Sequence, residues 1–266
     1  MCRWFIYFGN KTILHNILYN YKNAIIKQSY LKKYTPFLEE LNTRDHEVNV
    51  DGFGIGWYIK NNEVCFYTAT KTPWSDFNFK RLSKILESKL IFAHVRAIKP
   101  FSNGLIHEFN CHPFNYKNIL FMHNGDLKKF NNYKKKVIYA IDDELYEFIN
   151  GNTDSEHVFY LILTYLKNKK FNQKNVKEAI LKTINFFNNV SNNIFSFNIA
   201  ITNGKIIVFT RYINNDEKPP SLYFCNNNNN IKISSEPIDY SDEWTCIPKN
   251  MIGCFRKNKL SFDKIK

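Results

Sequence analysis

MCRWFIYFGN, residues 1–10, places Cys2 directly behind the initiator methionine, and the reading of the whole chain turns on that position. Removal of Met1 leaves residue 2 with a thiol and a free α-amino group on one carbon. Their ordinary pKa values, about 8.5 and about 7.7–8.0, nearly match. Passing a proton between them, directly or through one water, then costs only about 1 kcal/mol, which suits a nucleophile that carries its own general base. The competing reading is a small residue near a terminus with no chemical role. Cys2 alone does not separate the two.

The chain of 266 residues can bury one large core or two small ones. Hydrophobic residues make up 44% and aromatics 17%, a composition that excludes a disordered chain. Lys and Arg number 37 against 24 Asp and Glu, a net charge of +13. Such a balance suits nucleic acid, an anionic membrane or an acidic partner. Yet the basic residues are scattered as pairs and one run at Lys134–Lys136, among Asn and Tyr, with no basic helix or nucleic-acid motif. No nucleic acid is therefore expected as a partner. A basic intracellular nucleic-acid- or partner-binding protein on a catalytically inactive scaffold is the alternative that the charge keeps open. Counterion release would betray it as a steep loss of affinity with salt.

No stretch approaches the ~20 apolar residues of a membrane helix. The first sixteen residues have a short apolar patch without the apolar core and small-residue cleavage site of a secretory leader. The expected location is the cytoplasm, with reduced thiols and no membrane association. Cys65, Cys111, Cys225, Cys246 and Cys254 show no CxxC spacing, so neither a metal site nor a disulfide framework is expected.

Along the chain, Asp51–Lys60, an Asn61-Asn62 turn and Glu63–Thr70 read as a β-hairpin. Gly52, Gly54 and Gly56 lie within its aromatic strand pattern with no helix following, which excludes a dinucleotide loop. Phe79–Leu90 has Leu82, Ile85, Leu86 and Leu90 at helical spacing, ahead of a short buried strand at Ile91–Val95. A second apolar run, Ile119–Met122, ends at His123-Asn124-Gly125, which turn chemistry reads as the end of a strand. Thr153-Asp154-Ser155-Glu156 is a capping-box pattern opening a helix, and Val176–Phe187 repeats helical spacing. Ile194–Thr202, an Asn203-Gly204 turn and Lys205–Arg211 form a second hairpin, followed by strands at Leu222–Phe224 and Ile231–Ser234. The run Asn226–Asn230 reads as a surface loop insertion. Strands, two central helices, then strands again describe an α+β chain with large antiparallel sheets.

Ten short blocks carry a resemblance that covers nearly the whole chain: MCR (1–3), QSY (28–30), DGFGIGWY (51–58), FAHVRA (92–97), NCHPF (110–114), FMHNGDL (121–127), TDSEH (153–157), TRY (210–212), PPSLYF (219–224) and SSEP (234–237). In this order they make the chain similar to a class II glutamine amidotransferase domain. The stand-alone branch that includes γ-glutamyl amidohydrolases, and the amidotransferase-like subunit of a glutathione-degrading complex, is the most similar. The resemblance implies an N-terminal-nucleophile hydrolase fold, a four-layer αββα sandwich with two antiparallel sheets. It implies one domain over residues 2–266, with no metal and no cofactor.

It also assigns roles. Cys2 would attack the γ-carbonyl of glutamine or a γ-glutamyl compound, and its amine would serve as base and then as acid. The side-chain amide of Asn124 and the backbone N–H of Gly125, free to adopt unusual φ/ψ, would stabilise the oxyanion, a contribution of about 2.7–4 kcal/mol per donor in measured cases elsewhere. Arg96 suits the substrate α-carboxylate as a planar bidentate donor. Asp154 suits the α-ammonium, although a carboxylate at a helix start also favours the helix dipole without any ligand. His112 and Trp74 would shape the pocket, while His94 and His123 read as supporting or core residues. With the blocks using nearly all of the chain, the implied partners are the small-molecule substrate and a separate peptidase or synthase subunit. Three features depart from the family pattern: the stretch AIKPFSNG (97–104) is poor in Gly, Ser and Thr, Val50 replaces a small residue, and the Asn run enlarges a late loop.

Mass spectrometry of the native N-terminus is expected to find Cys2 as the first residue. Retained Met1 would turn the Cys2 nitrogen into an amide and remove the proposed base.

Overall fold

Strand β1 (Arg3–Ile13) is apolar on both faces. Trp4 and Ile6 join one buried cluster and Phe5 and Tyr7 another, so this strand must lie between two covering layers. A computed structural model describes residues 2–31, 48–98, 105–227, 230–239 and 243–266 and places β1 accordingly. The remaining strands are β2 (Phe53–Tyr58), β3 (Val64–Ala69), β4 (Glu87–Val95), β5 (Phe114–Tyr116), β6 (Ile119–Leu127), β7 (Phe195–Thr202), β8 (Ile206–Ile213), β9 (Tyr223–Asn227), β10 (Asn230–Ser234), β11 (Thr245–Cys246), β12 (Met251–Arg256) and β13 (Lys259–Lys264). Helices are α1 (Ile25–Gln28), α2 (Phe77–Leu82), α3 (Lys134–Ala140), α4 (Asp143–Tyr146), α5 (Asp154–Leu166) and α6 (Gln173–Val190).

Seven strands form one sheet in the order β11-β9-β10-β1-β4-β2-β3, and six form the other in the order β13-β12-β8-β7-β6-β5. Every pairing in both sheets is antiparallel. The sheets face each other through Trp4, Ile6, Phe92, Leu120, Met122, Ala200 and Phe209. The fully buried Ile, Leu, Met and Phe side chains among them each contribute about 1.5–3 kcal/mol to the packing. The outer face of the six-stranded sheet carries Phe121, Phe197 and Ile199, which meet Phe159, Ile180 and Phe187 of α5 and α6. On the outer face of the seven-stranded sheet, Phe5, Ile55 and Ile91 meet Leu18, Ile25 and Phe79 from short helical segments. The result is the two-sheet sandwich of an α+β protein, with long helices on one side and short ones on the other. No helix among the described residues is long and apolar enough to cross a membrane.

Both hairpins form as their turn residues dictate: β2 pairs with β3, and β7 with β8 around Gly204 at φ +83°. Three expectations change. The helix expected over Phe79–Leu90 ends at Leu82, leaving Leu82 and Ile85 exposed, and Leu90 belongs to β4 opposite Phe8. Pairing with β1 recruits the residues from Glu87 onward, so tertiary ladder bonds override helical spacing. The His123-Asn124-Gly125 triplet is not a turn. It continues β6 in register with Ile199, Asn198 and Phe197 of β7. The Asn run is not wholly a loop either, because β9 extends to Asn227 and β10 starts at Asn230; residues 228–229 lie outside the described ones. The Asn230 side-chain oxygen accepts the Asn10 N–H at 2.8 Å and the Tyr7 hydroxyl at 3.1 Å, tying this corner to β1.

Candidate active site

The register of the seven-stranded sheet brings three strand ends together. Arg3, Val95 and Phe53 lie side by side on β1, β4 and β2, so Cys2, Arg96 and Gly52 all fall just beyond the same edge. Cys2 is half-buried, and its Sγ sits 3.5 Å from the Ala97 nitrogen and 3.6 Å from the Ala97 oxygen. The Arg96 N–H donates to Gly52 O at 2.8 Å, and Asp51 N–H returns to Arg96 O at 3.2 Å. The Asp51 carboxylate accepts the Ile98 N–H at 2.7 Å, which fixes the chain leaving β4. Arg96 itself is buried, and its guanidinium donates to Leu105 O at 3.0 Å and Asp51 O at 3.3 Å. No carboxylate among the described residues pairs with it, so it keeps a net positive charge beside Cys2. The rest of the stretch expected to line the pocket, Lys99–Gly104, lies outside the described residues.

The six-stranded sheet supplies the opposite wall. His94 Nε2 contacts His123 O at 3.1 Å, which pins β4 to β6 at this level. The Trp4 indole donates to Asn198 O at 3.0 Å, and Asn198 is the cross-strand partner of Asn124. Asn124 is thus reached from β1 through a single side chain. It is buried, and its Oδ1 has no partner among the described residues. Gly125 does not take a left-handed conformation. Glycine is required there for space, because a Cβ would lie 1.9 Å from Ser196 O and 2.3 Å from His123 Nε2.

Helix α5 begins against the same strand. Thr153 caps it by accepting the Glu156 N–H at 3.2 Å, as the motif predicts. Glu156 does not complete the box but accepts Asn150 and Gly151 N–H groups at 3.0 and 2.8 Å. Asp154 accepts Leu127 N–H at 3.2 Å and Ser155 N–H at 2.7 Å, so it both favours the helix dipole and seals the β6–α5 junction. Ser155 Oγ lies 2.8 Å from His123 Nδ1, which completes a path from Asp154 to the His94 contact. Asn110, from NCHPF, donates to Leu105 O at 3.1 Å, the carbonyl that also holds Arg96, and accepts Asn152 N–H at 3.0 Å. The Arg96 and Asp154 segments therefore share one buried amide.

Of the two residues expected to shape the pocket, His112 lies within this wall and Trp74 does not. The His112 ring centre lies 4.2 Å from that of His94 and 4.4 Å from that of Phe114, both pairs tilted, with neither nitrogen partnered among the described residues. Trp74 is 36% exposed between β3 and α2, with its ring edge on Tyr30 at 5.1 Å.

Burial lowers the basicity of all three histidines. It pushes His94 down to about 3, against its contact with His123 O and with added repulsion from Arg96. His112 falls well below the ordinary value through burial and its neighbours His94 and His123. His123 is lowered by burial, opposed by the Asp154 charge. All three rings are neutral at pH 7; all pack in the wall and His94 and His123 also hydrogen-bond, leaving Arg96 and Arg3 as the cations of this region. Burial likewise pushes the Cys111 thiol up to about 11, which makes it a poor nucleophile beside Cys2. Among the described residues no cluster of three or more His, Cys, Asp or Glu has the geometry to hold a metal ion.

Arg3, Gln28, Asp51, Asn110 and Glu236 lie in the motif blocks MCR, QSY, DGFGIGWY, NCHPF and SSEP but carry no role in the sequence reading, and Asn49 lies in none of the blocks. The partners of Arg3 come from distant segments that no spacing rule links.

This geometry sits within a family shown by comparison. The model of the class-II glutamine amidotransferases matches residues 31–217. Saccharomyces cerevisiae has a relative named "Probable glutamine amidotransferase DUG3", 30% identical over 305 aligned residues that cover 98% of this chain and 83% of that protein. The chain belongs to the class-II glutamine amidotransferase family and is an enzyme of that kind. Among solved structures it is similar to a glutamine aminotransferase class-II domain protein from Silicibacter pomeroyi, with a TM-score of 0.69, 22% identity and 99% of both chains covered. It also superposes on the Bacillus subtilis glutamine phosphoribosylpyrophosphate amidotransferase at a TM-score of 0.65 and 14% identity, covering 98% of this chain and 49% of that one. At these identities the structural likenesses bear on the fold alone: the N-terminal-nucleophile sandwich expected from the sequence.

Gly125→Ala is expected to cost about 3 kcal/mol, the upper part of the range for overpacking, by denaturant unfolding; a loss under about 0.5 kcal/mol would show that β6 relaxes freely. The neutral histidines set a pH dependence. Their native pKa values lie below the unfolded value of 6.5, so the unfolded chain takes up protons first as pH falls. Stability is fully present above about pH 6.5 and declines below it, and for His94 the decline continues to about 3. In His112→Phe the decline between pH 7 and 4.5 should be shallower by up to about 1.4 kcal/mol per pH unit, read from urea midpoints. Equal slopes would show that this ring is not held neutral.

Proposed function

We propose that the enzyme cleaves the γ-amide of glutamine or of a γ-glutamyl compound through a thioester on Cys2. The observation that supports this most directly is the shared edge of β1, β4 and β2, which sets Cys2 beside Arg96 and opposite the strand carrying Asn124 and Gly125. With Met1 removed, the Cys2 amine takes the thiol proton as Sγ bonds to the γ-carbonyl carbon. The carbonyl π electrons move to oxygen, and Asn124 Nδ2 with the Gly125 N–H stabilises that charge. Collapse of the tetrahedral species expels the amine, which receives the proton from the ammonium of Cys2. Water, deprotonated by the same amine, then attacks the thioester, giving glutamate and the restored thiol. Arg96 binds the α-carboxylate as a fork and Asp154 the α-ammonium, with His112 in the wall behind them. The cation left on Arg96 supports the first assignment. Asp154 would bind ligand while keeping its bonds to Leu127 and Ser155.

The leaving group is ammonia or the amine of a γ-glutamyl conjugate such as a cysteinyl peptide. The motif resemblance to the stand-alone branch favours hydrolysis of a γ-glutamyl substrate, with a separate peptidase or synthase subunit as partner and the cytoplasm as location; the yeast relative's name speaks only of a glutamine amidotransferase.

Cys2→Ala and Cys2→Ser are both expected to abolish thioester formation, while Cys65→Ala, on β3, leaves it intact; the acyl-enzyme mass after mixing with glutamine or a γ-glutamyl peptide checks this. Equal activity in all three variants would rule the assignment out.

A further inference from the structure

We propose that Arg3 is the positioning residue of the nucleophile, a buried guanidinium fork that fixes Cys2 by closing a ring of contacts around it, with Glu236 as its counter-ion. The proposal rests on Cys2 being the nucleophile. Arg3 is buried in the middle of the sheet, directly after Cys2. Its Nε donates to Glu236 Oε1 at 3.0 Å, and its Nη1 donates to Gln28 O and, at 2.6 Å, to Asn49 Oδ1. Asn49 is itself buried and bound through its N–H to Ser29 O at 2.7 Å. Two residues on, the Asp51 carboxylate holds the Ile98 N–H, and the neighbouring Ala97 backbone meets Cys2 Sγ. The path Cys2–Arg3–Asn49–Asp51–Ile98–Ala97 thus returns to the sulfur it started from.

A neutral residue would serve if Arg3 only filled space, since a lone buried guanidinium is costly to desolvate. Burial lowers its pKa to about 10, still cationic at neutral pH. Glu236 is also buried, and its second oxygen lies 3.5 Å from Asn23 Nδ2. Gln28, whose carbonyl accepts from Arg3, donates its own side-chain amide to Asn23 O at 2.9 Å. Three chain segments remote in sequence therefore converge on one side chain, and that side chain is covalently next to Cys2. A planar five-donor fork can bind such divergent acceptors at once, whereas an ammonium is a point charge on a flexible stem. The same fork holds Cys2 toward Ala97 and, through Asn49 and Asp51, aligns the segment on which Arg96 rests. Fixing the nucleophile and the carboxylate-binding group relative to each other is the kind of alignment that governs turnover.

The test uses the full chain with Met1 removed and compares Arg3→Lys, the neutral pair Arg3→Gln/Glu236→Gln, Asn49→Ala and Cys2→Ala. Iodoacetamide probes Cys2 without reference to any substrate, and per-thiol mass spectrometry reads exposed Cys246 and buried Cys254 as internal standards. Arg3→Lys and the neutral pair should alkylate at Cys2 at least fivefold faster than the parent while Cys254 stays protected, and Asn49→Ala should shift the same way by a smaller factor. A glutamine-analogue electrophile should label Cys2 at least tenfold more slowly in those variants, and kcat should fall tenfold or more with KM within threefold. Unchanged Cys2 alkylation in all three variants overturns the proposal, as does full recovery of kcat by lysine. If Cys254 becomes reactive in the first two, Asn49→Ala decides alone. Altered alkylation together with a parent enzyme that neither binds the analogue at Cys2 nor turns over would leave the clamp standing and remove the functional reading instead.

Discussion

The structure depends on the central placement of β1. Hydrogen-bonded to β10 on one side and β4 on the other, and covered on both faces, this strand cannot slide without breaking two ladders and reversing which side chains meet which layer. The residue immediately before it inherits that immobility. A terminus is ordinarily the least ordered part of a chain, and tethering it within a sheet holds Cys2 in place as the proposed chemistry requires. Trp4 extends the constraint across the sandwich, because its indole bonds to the strand paired with β6. Strand pairing and inter-sheet packing thus act on the same few residues.

Electrostatics in this region separates into two kinds of group. His94, His112 and His123 are buried deeply enough to be uncharged; His94 and His123 tie strands together by hydrogen bonds and His112 packs against them, none adding positive charge. Arg3 and Arg96 remain cationic but differ in their surroundings. Arg3 has a buried carboxylate partner, whereas Arg96 is held by carbonyl dipoles and has no carboxylate partner among the described residues. An anionic group arriving at Arg96 would therefore meet a cation without a carboxylate partner among the described residues, in a low-dielectric wall where attraction is stronger than in water. The difference fits the proposed roles, architecture for Arg3 and carboxylate binding for Arg96.

Much of the fold was legible because local and global preferences agree. The two hairpins, the capped α5 and the long α6 follow from turn residues, capping chemistry and periodicity, and each appears where those signals lie. Legibility failed where a short segment had two competing partners. Leu82, Ile85, Leu86 and Leu90 satisfy helical spacing, but β1 offers ladder bonds from Glu87 onward, and a six-residue helix cannot compete with a central strand. His123-Asn124-Gly125 carries turn-forming residues, yet β7 pairs with all three, and the glycine answers to crowding by Ser196 and His123.

The sequence by itself determined the α+β class and the family, and it singled out Cys2 as the candidate nucleophile. These reside in the residue at position 2, in ordered short motifs and in periodicity, all of which are properties of neighbours along the chain. Only the tertiary structure decided which groups surround that thiol. Arg3 meets Glu236, Asn49 and Gln28, and Asn110 joins the segments of Arg96 and Asp154, across separations of up to more than two hundred residues. Such contacts are set by strand order and register, which arise from burying both faces of β1, and no local spacing encodes them.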